Sequence, residues 1–393
     1  MTAPVSSDPQ QHAPVFSSPL TPEWGFLQAA LASESPDRLR SLAPQVRWRV
    51  LLDLAEHHAV QPLLHRAISA AGSFAPAHEM AVLAQLCQTN LHKAMLMSRE
   101  LIHLVDQMAQ GGIDVLAYKG VALAESFYGD IALRPTGDID LLIHARDLQR
   151  IEAAVAELGY VPQSSFSPAQ RAASLKSGYE CVFDGPLGRN LLELQWAILP
   201  RFYAVEIDQE GLFARAVSIK VAGHRMKTPC AEDLFLILCV HAAKHVWGRL
   251  IWLCDLARIA AVPELDWQWI SDQAKKLGIV RIVRVTLLLI RRMLNADLPG
   301  AADHNLPTDL EAATLASEIE ARMASRIEFD VESVAYFRLM LRLRENQRDR
   351  RRFLTRLALT PGPGEWSAIH LPPALFPLYR VVRIWRLARR FLR

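Results

Sequence analysis

Cysteine is scarce in this chain of 393 residues, which contains five. Their number is odd, and their spacing is not that of a zinc site. They stand at positions 87, 181, 230, 239 and 254. The sequence therefore predicts no disulfide framework and indicates reduced thiols, as is usual in the cytoplasm.

The sequence also lacks a large net charge, a long apolar run and a secretory signal. The 44 lysines and arginines nearly balance the 41 aspartates and glutamates, so the net charge of +3 does not favour nucleic acid as the general partner. No apolar run approaches the roughly eighteen residues of a membrane span. Residues 1–22 lack the basic start and apolar core of a signal peptide, and their composition predicts a disordered leader. We expect a cytoplasmic protein.

Helical periodicity is abundant by contrast. Apolar residues recur every three or four positions from Glu23 to about Gln110 and over most of the chain after position 226. Strand-like segments are concentrated between these regions. The predicted fold class is α+β: a small mixed β-sheet core at 111–225 follows a helical region at 23–110. A helical domain at 226–300 and a helical C-terminal region at 301–393 come after it.

Two carboxylates separated by one residue lead into an apolar strand. Side chains alternate between the faces of a strand, so Asp138 and Asp140 are expected on one face while Ile139, Leu141 and Ile143 enter a core. Like charges held so close repel unless a cation lies between them, which predicts Mg²⁺. In the metal-free protein, replacing both aspartates by asparagine is not expected to reduce stability.

A glycine turn precedes this strand. Tyr118-Lys119-Gly120 follows the apolar run Ile113–Ala117 and precedes the helix-like sequence VALAESFY. A turn of this kind presents backbone N–H groups at the start of a helix, where phosphate is favoured. The pattern predicts strand, turn, helix, loop and second strand.

Together these residues resemble the DNA-polymerase-beta-like nucleotidyltransferase superfamily, in which a glycine turn precedes an Asp-x-Asp strand. Within it the chain is similar to a branch of bacterial proteins described as uncharacterised nucleotidyltransferases. The shared features are Lys119-Gly120, RPTGDIDLL from Arg134, HAAKHVW from His241 and LCDLA from Leu253. The resemblance covers roughly residues 90–260 well. The superfamily usually has Gly-Ser where this chain has Lys119-Gly120.

The resemblance implies transfer of a nucleoside monophosphate from an NTP to an acceptor hydroxyl or other nucleophile, with release of pyrophosphate. It implies one or two Mg²⁺ ions, held by Asp138, Asp140 and a third carboxylate on a later strand. The nucleotide would bind at the Lys119-Gly120 turn, Arg134 and Gly137, with Arg134 stabilising the leaving pyrophosphate.

Glu193 is the candidate for the third carboxylate. It lies in the second strand of a predicted hairpin, where Leu192, Leu194 and Trp196 form the other face. In this role Glu193 would hold the metal and take the proton of the attacking hydroxyl. The alternative is an ordinary solvated strand glutamate.

A polar face is predicted on the helix that follows position 230. His241, Lys244 and His245 lie three and four residues apart and share one side. We expect Lys244 to contact nucleotide phosphates, or the histidines to orient Asp255 from the next helix. A satisfied core cluster is the alternative, and zinc is disfavoured because the helix lacks the glutamate of metalloprotease motifs.

The chain ends in a basic amphipathic helix. Arginines alternate with apolar residues from Arg380 to Arg393, and Trp385 and Phe391 are among the latter. Such a helix can lie on anionic lipid or nucleic acid, or it can cover a groove of its own protein. The prolines before it favour docking onto the preceding helices.

Other functions fit parts of the pattern. A non-catalytic NTP-binding regulator, such as an antitoxin-like adaptor, would retain the two aspartates but would tolerate loss of Glu193. Glycosyl transfer also uses Asp-x-Asp, without support from the Lys119-Gly120 turn. The sequence leaves open the base of the NTP and the acceptor, which could be a small molecule, a peptide or a protein; a nucleic acid acceptor is not favoured.

Overall fold

A mixed five-stranded sheet lies at the centre of the computed structural model, which describes residues 21–164, 167–188, 190–306, 308–326, 330 and 333–391. Its strands are β1 (Val115–Ala117), β2 (Asp138–Ile143), β3 (Val161–Pro162), β4 (Glu180–Asp184) and β5 (Leu191–Gln195). Their spatial order is β1-β2-β5-β4-β3, with β2 and β5 parallel and the other neighbours antiparallel. A hairpin of β6 (Val217–Val221) and β7 (His224–Thr228) follows. The predicted α+β class is confirmed.

The two faces of this sheet differ in chemistry. Ile139, Leu141 and Ile143 of β2 share an apolar core with α5 (Ala77–Gln110) and α7 (Leu148–Glu157), as their alternation predicts. The other face of β2 carries the two aspartates. The helix α6 (Gly120–Tyr128) connects β1 to the segment before β2. One strand therefore supplies both a core and a polar surface.

Four helices precede α5, and their boundaries follow the breaks expected from proline and glycine. They are α1 (Pro22–Leu31), α2 (Pro36–Leu42), α3 (Trp48–His57) and α4 (Gln61–Ala71). Ser35 caps α2 with its side chain, and Gly72 ends α4 at a φ of +97°. The long helix α5 begins at Ala77, directly after Pro76. The predicted leader falls almost entirely on residues 1–20, outside the described part.

The remaining helices begin at Pro168 and cover the sheet and its surroundings. They are α8 (Pro168–Ser177), α9 (Gln209–Ala214), α10 (Ala231–Lys244), α11 (Leu250–Ala260), α12 (Trp267–Leu277), α13 (Val280–Leu294), α14 (Gly300–His304), α15 (Leu310–Ala324), α16 (Val334–Arg342), α17 (Gln347–Leu359), α18 (Pro363–Ala368) and α19 (Tyr379–Phe391). One continuous apolar core runs from Trp24 in α1 to Leu387 in α19. The N-terminal and C-terminal helices therefore stabilise each other. All five cysteines are free, as predicted.

The C-terminal helix α19 packs onto the protein through one side. Tyr379 and Leu387 are buried, and the guanidinium groups of Arg383 and Arg386 lie 3.4 and 2.8 Å from the buried carboxylate of Glu365. The other side exposes a stripe that includes Val381, Ile384 and Trp385. Among the described residues, no helix has both the length and the apolar character needed to cross a membrane.

Candidate active site

Three carboxylates share one face of the sheet because of its register. In the parallel pairing of β2 with β5, Asp140 lies opposite Glu193, and Asp138 lies two residues earlier on the same face of β2. The structure thus brings together the three residues predicted to hold metal. Burial and the nearby Asp140 raise the pKa of Asp138. Burial and, next, Asp140 raise the pKa of Glu193 to about 8.

Lys119 supplies a positive charge at this face. Its Nζ lies 2.7 Å from Oδ1 of Asp140; the Asp140 side chain is buried and that of Lys119 is largely so. Burial acts to lower the pKa of Lys119, but the attraction of Asp140 opposes it and the net pKa is raised. Oδ2 of Asp140 is buried without a hydrogen-bond partner among the described residues. Removing the charge of Asp140 would take away the nearest anionic partner of this ammonium group, so we expect replacement of both aspartates to reduce stability, contrary to the sequence-based prediction.

Gln195 connects the carboxylates. Its Nε2 donates to Glu193 at 2.9 Å, and lies 3.3 Å from oxygens of both Asp140 and Glu180. The Tyr118 hydroxyl donates to its Oε1. A neutral amide that bridges three carboxylates lowers their mutual repulsion without adding charge.

The turn before α6 is built on glycine. Gly120 has a φ of +54°, and a β-carbon there would lie 2.9 Å from Oγ1 of Thr136 and 3.3 Å from the backbone oxygen of Asp138. The N-terminus of α6 is therefore packed directly against the segment that leads into β2. This places the predicted phosphate-binding turn beside the carboxylates.

Arg134 lies at the edge of the site in a structural pair. Its Nε and Nη2 each lie 2.9 Å from an oxygen of Asp255, to which the Tyr128 hydroxyl also donates at 2.7 Å. The guanidinium group is buried and its bidentate edge is occupied. Because this edge of Arg134 is engaged with Asp255, its contact with pyrophosphate stays a prediction, although Arg134 lines the cavity. Asp255 is held by Arg134 and Tyr128, and not by the histidines of α10.

Lys244 lies across the cavity from the sheet. Its Nζ donates to the hydroxyl of Tyr179 at 2.7 Å. Burial lowers the pKa of Lys244, and Glu180 partly offsets this effect. After α10 the chain turns through Val246 and Trp247, both with positive φ, and Trp247 is anchored by a hydrogen bond from its Nε1 to Thr286. This costly backbone conformation fixes where Lys244 lies.

The two histidines of the α10 face pack together with Trp252. The rings of His241 and His245 lie 4.8 Å apart between centroids, and each contacts the indole ring. Burial lowers the pKa of His241 well below its usual value and that of His245 to about 3. Both rings are therefore neutral at physiological pH. They shape the wall of the cavity without adding charge to it.

Lys119, Asp138, Glu193 and Lys244 line a cavity of about 540 Å³, within the range of about 300–1,000 Å³ that small-molecule sites occupy. Its wall includes the predicted Gly137 and three residues that the sequence analysis did not select: Tyr118, Tyr179 and Glu180. Glu180 lies opposite Gln195 in the antiparallel pairing of β4 with β5. Its position on a predicted strand was the signal that could have identified it.

The donor set suits a hard divalent cation in part. Carboxylate oxygens are the ligands that Mg²⁺ prefers, and the buried Oδ2 of Asp140 has no hydrogen-bond partner among the described residues. In the side-chain positions observed, the described residues contain no group of three or more His, Cys, Asp or Glu that converges on one metal position. The residue types and their shared face fit Mg²⁺, while Lys119 occupies the other oxygen of Asp140.

A model of the family described as uncharacterised nucleotidyltransferases matches residues 44–295. This range is more than half of the chain and contains every residue of the site described above. No curated protein and no solved structure is similar enough to count as a match. The family match agrees with the motifs at Lys119-Gly120 and at Asp138, so this chain belongs to the uncharacterised nucleotidyltransferase family.

Proposed function

We propose that this protein moves a nucleoside monophosphate from an NTP to an acceptor hydroxyl or other nucleophile, with Mg²⁺, and releases pyrophosphate. Family membership supports nucleotidyl transfer as the general chemistry. The observation that carries the proposal is the shared face of Asp138, Asp140 and Glu193 beside the Gly120 turn, with Asp138 and Glu193 in the wall of a ligand-sized cavity. The metal, the nucleotide and the acceptor are proposals.

The three carboxylates would hold the metal. When bound there, Mg²⁺ would neutralise charge on the phosphate oxygens and help to orient the triphosphate. Lys119 holds Asp140 in place and offsets part of the negative charge of this face before substrate binds. Gly120 and Lys244 line the cavity, and the N–H groups at the start of α6 and the ammonium group of Lys244 would contact phosphate.

Glu193 is assigned the proton transfer. A bond forms between the acceptor oxygen and the α-phosphorus, the bond from that phosphorus to the bridging oxygen breaks, and pyrophosphate leaves with the electron pair. The acceptor proton passes to the carboxylate of Glu193. Since its pKa in the metal-free protein is about 8, Glu193 must first be ionised, which nearby positive charge favours.

The test separates binding from transfer. Calorimetric titration of Mg-ATP and Mg-GTP should show binding to the wild-type protein and none to Asp138→Asn, whose carboxylate is not in the Lys119 pair. Glu193→Gln should still bind nucleotide but release pyrophosphate about 10²-fold more slowly. The control Glu157→Gln removes an exposed carboxylate of α7 and should behave as wild type. Unchanged affinity in Asp138→Asn would refute the metal site.

One observation favours a second function, the non-catalytic NTP-binding regulator. An ammonium group 2.7 Å from Asp140 partly replaces the charge that a metal would bring. For such a regulator, Mg-ATP would bind to the wild type and to Glu193→Gln equally, and no acceptor would stimulate pyrophosphate release. A rate difference between the two proteins would exclude it.

A further inference from the structure

A second cavity lies next to the first and shares two wall residues with it. Tyr179 and Glu180 line both. This cavity, here called the outer pocket, has a volume of about 350 Å³ and is bounded by α8, β4 and the C-terminal elements α18 and α19. A molecule held in it would therefore adjoin the residues that border the carboxylate face.

The outer wall of this pocket comes from beyond the family match. It is formed by Thr360, Pro361, Glu365, Arg383, Arg386 and Leu387, whereas the match ends at residue 295. The inner wall, with Tyr179 and Glu180, lies within the match. The outer pocket thus has an inner wall from the family-matched region and an outer wall from the C-terminal part of the chain.

The outer pocket is mostly apolar, and two arginines face one carboxylate at its α19 end. Apolar side chains such as Leu175, Phe183, Trp196 and Phe202 line most of it. Two arginines of α19, Arg383 and Arg386, share the single carboxylate of Glu365. Of the other charged wall residues, Glu152 and Arg171 pair with each other, and Glu180 belongs to the inner wall. The balance at the α19 end favours an anionic group on the ligand.

Tyr179 is held in place between the two cavities. Lys244 Nζ donates to its hydroxyl at 2.7 Å and lies 4.6 Å from the centre of its ring. Glu180 accepts a hydrogen bond from Gln195, which also bonds Glu193. The boundary of the outer pocket is thus connected by side-chain hydrogen bonds to the proposed proton acceptor.

We propose that the outer pocket binds the acceptor, and that the acceptor is an apolar small molecule with an anionic group at one end and a hydroxyl at the other. The anion lies toward Arg386, and the hydroxyl reaches past Tyr179 and Glu180 to the nucleotide. Its oxygen bonds the α-phosphorus, pyrophosphate leaves with the electron pair, and Glu193 takes the proton. The assignment rests on the proposed nucleotidyl transfer.

Binding of anilinonaphthalene sulfonate, an apolar aromatic anion, tests the pocket by fluorescence titration of the full chain. Leu387→Trp, which fills the pocket, should abolish the saturable site. Arg386→Gln should weaken binding about tenfold or more, while Arg383 still pairs with Glu365. The matched controls Leu359→Trp and Arg380→Gln change exposed residues outside the pocket and should bind as wild type. Wild-type binding in both pocket variants overturns the inference.

Turnover tests the acceptor class. Hydroxyphenylpropanoate should stimulate Mg-ATP-dependent pyrophosphate release by the wild type, with kcat/KM about tenfold lower in Arg386→Gln and unchanged in Arg380→Gln. Absence of stimulation, or equal stimulation in Arg386→Gln, overturns the acceptor class. Mg-ATP titration distinguishes the two levels: intact nucleotide binding with a failed pocket refutes this inference alone, whereas absent nucleotide binding refutes the proposed function and the acceptor assignment with it.

Discussion

Two buried ion pairs border the same cavity, and they differ in how completely they are satisfied. In the first, the guanidinium group of Arg134 makes two contacts of 2.9 Å with Asp255, and the Tyr128 hydroxyl adds a third bond. In the second, Lys119 makes a single contact with Asp140, whose other oxygen has no hydrogen-bond partner among the described residues. Lys119, Arg134 and Asp140 come from one stretch of the sequence, whereas Asp255 lies 121 positions after Arg134.

The difference lies in what each carboxylate leaves free to bind a ligand. The oxygens of Asp255 are already engaged by a bidentate guanidinium group and a hydroxyl. Asp140 instead shares its face with Asp138, Glu180 and Glu193, whose pKa values are all raised, first of all by burial. Lys119 and Lys244 are two positive charges beside these four carboxylates. Such an excess of buried carboxylates favours the binding of a cation.

Among these variants, Arg134→Met should have the largest effect on stability. Asp255 would keep its charge in a buried position without its main partner, which should reduce the free energy of unfolding by about 3–5 kcal/mol. Arg134→Lys keeps the positive charge but loses the bidentate contact with Asp255, so it should reduce the free energy of unfolding by a smaller amount. Denaturant unfolding at neutral pH measures both, with Arg99→Met, an exposed residue of α5 outside the cavity wall, as control. If Arg134→Met has wild-type stability but no longer binds Mg-ATP, the predicted role of Arg134 in nucleotide binding is supported and its structural role is refuted.

A double-mutant cycle measures the coupling energy between Lys119 and Asp140. Asp140→Asn leaves the ammonium group of Lys119 unpaired, and Lys119→Met leaves the carboxylates uncompensated, so each should destabilise the metal-free protein. The double variant removes both charges and should be less destabilised than the sum predicts, with a coupling of about 0.5–3 kcal/mol. Denaturant unfolding of the four proteins gives this value. Strict additivity would show that the Lys119 contact contributes nothing.

Local periodicity was sufficient to predict the elements that carry the site. The alternation of Ile139, Leu141 and Ile143 with the aspartates follows from the pleat of one strand, and the breaks before α2 and after α4 follow from proline and glycine. The position of Glu193 could be predicted for the same reason, since its neighbours define an apolar face on their own.

Contacts between distant segments were beyond sequence reasoning. Arg134 and Asp255 are separated by 121 positions. Their motifs therefore did not indicate that the two side chains form a pair. The bridging role of Gln195 depends on strand register, which local patterns do not give. The packing of α19 depends on Glu365, a residue outside every motif.

The charge crowding of the carboxylate face should appear in the pH dependence of stability. A pKa of about 8 for Glu193 in the folded protein exceeds its ordinary value of 4.5, so folding favours the protonated form. This contribution is fully present below about pH 4.5 and is lost as the pH rises through about 8, with a slope of at most about 1.4 kcal/mol per pH unit.

Glu193→Gln cannot ionise, so its stability should fall less over this range than that of the wild type, while Glu157→Gln should follow the wild type. Melting temperatures of the metal-free proteins between pH 5 and 8 measure the difference. Parallel curves for the wild type and Glu193→Gln would show that Glu193 is already ionised at neutral pH, and the contrast between a satisfied pair and a crowded face would then rest on Asp140 alone.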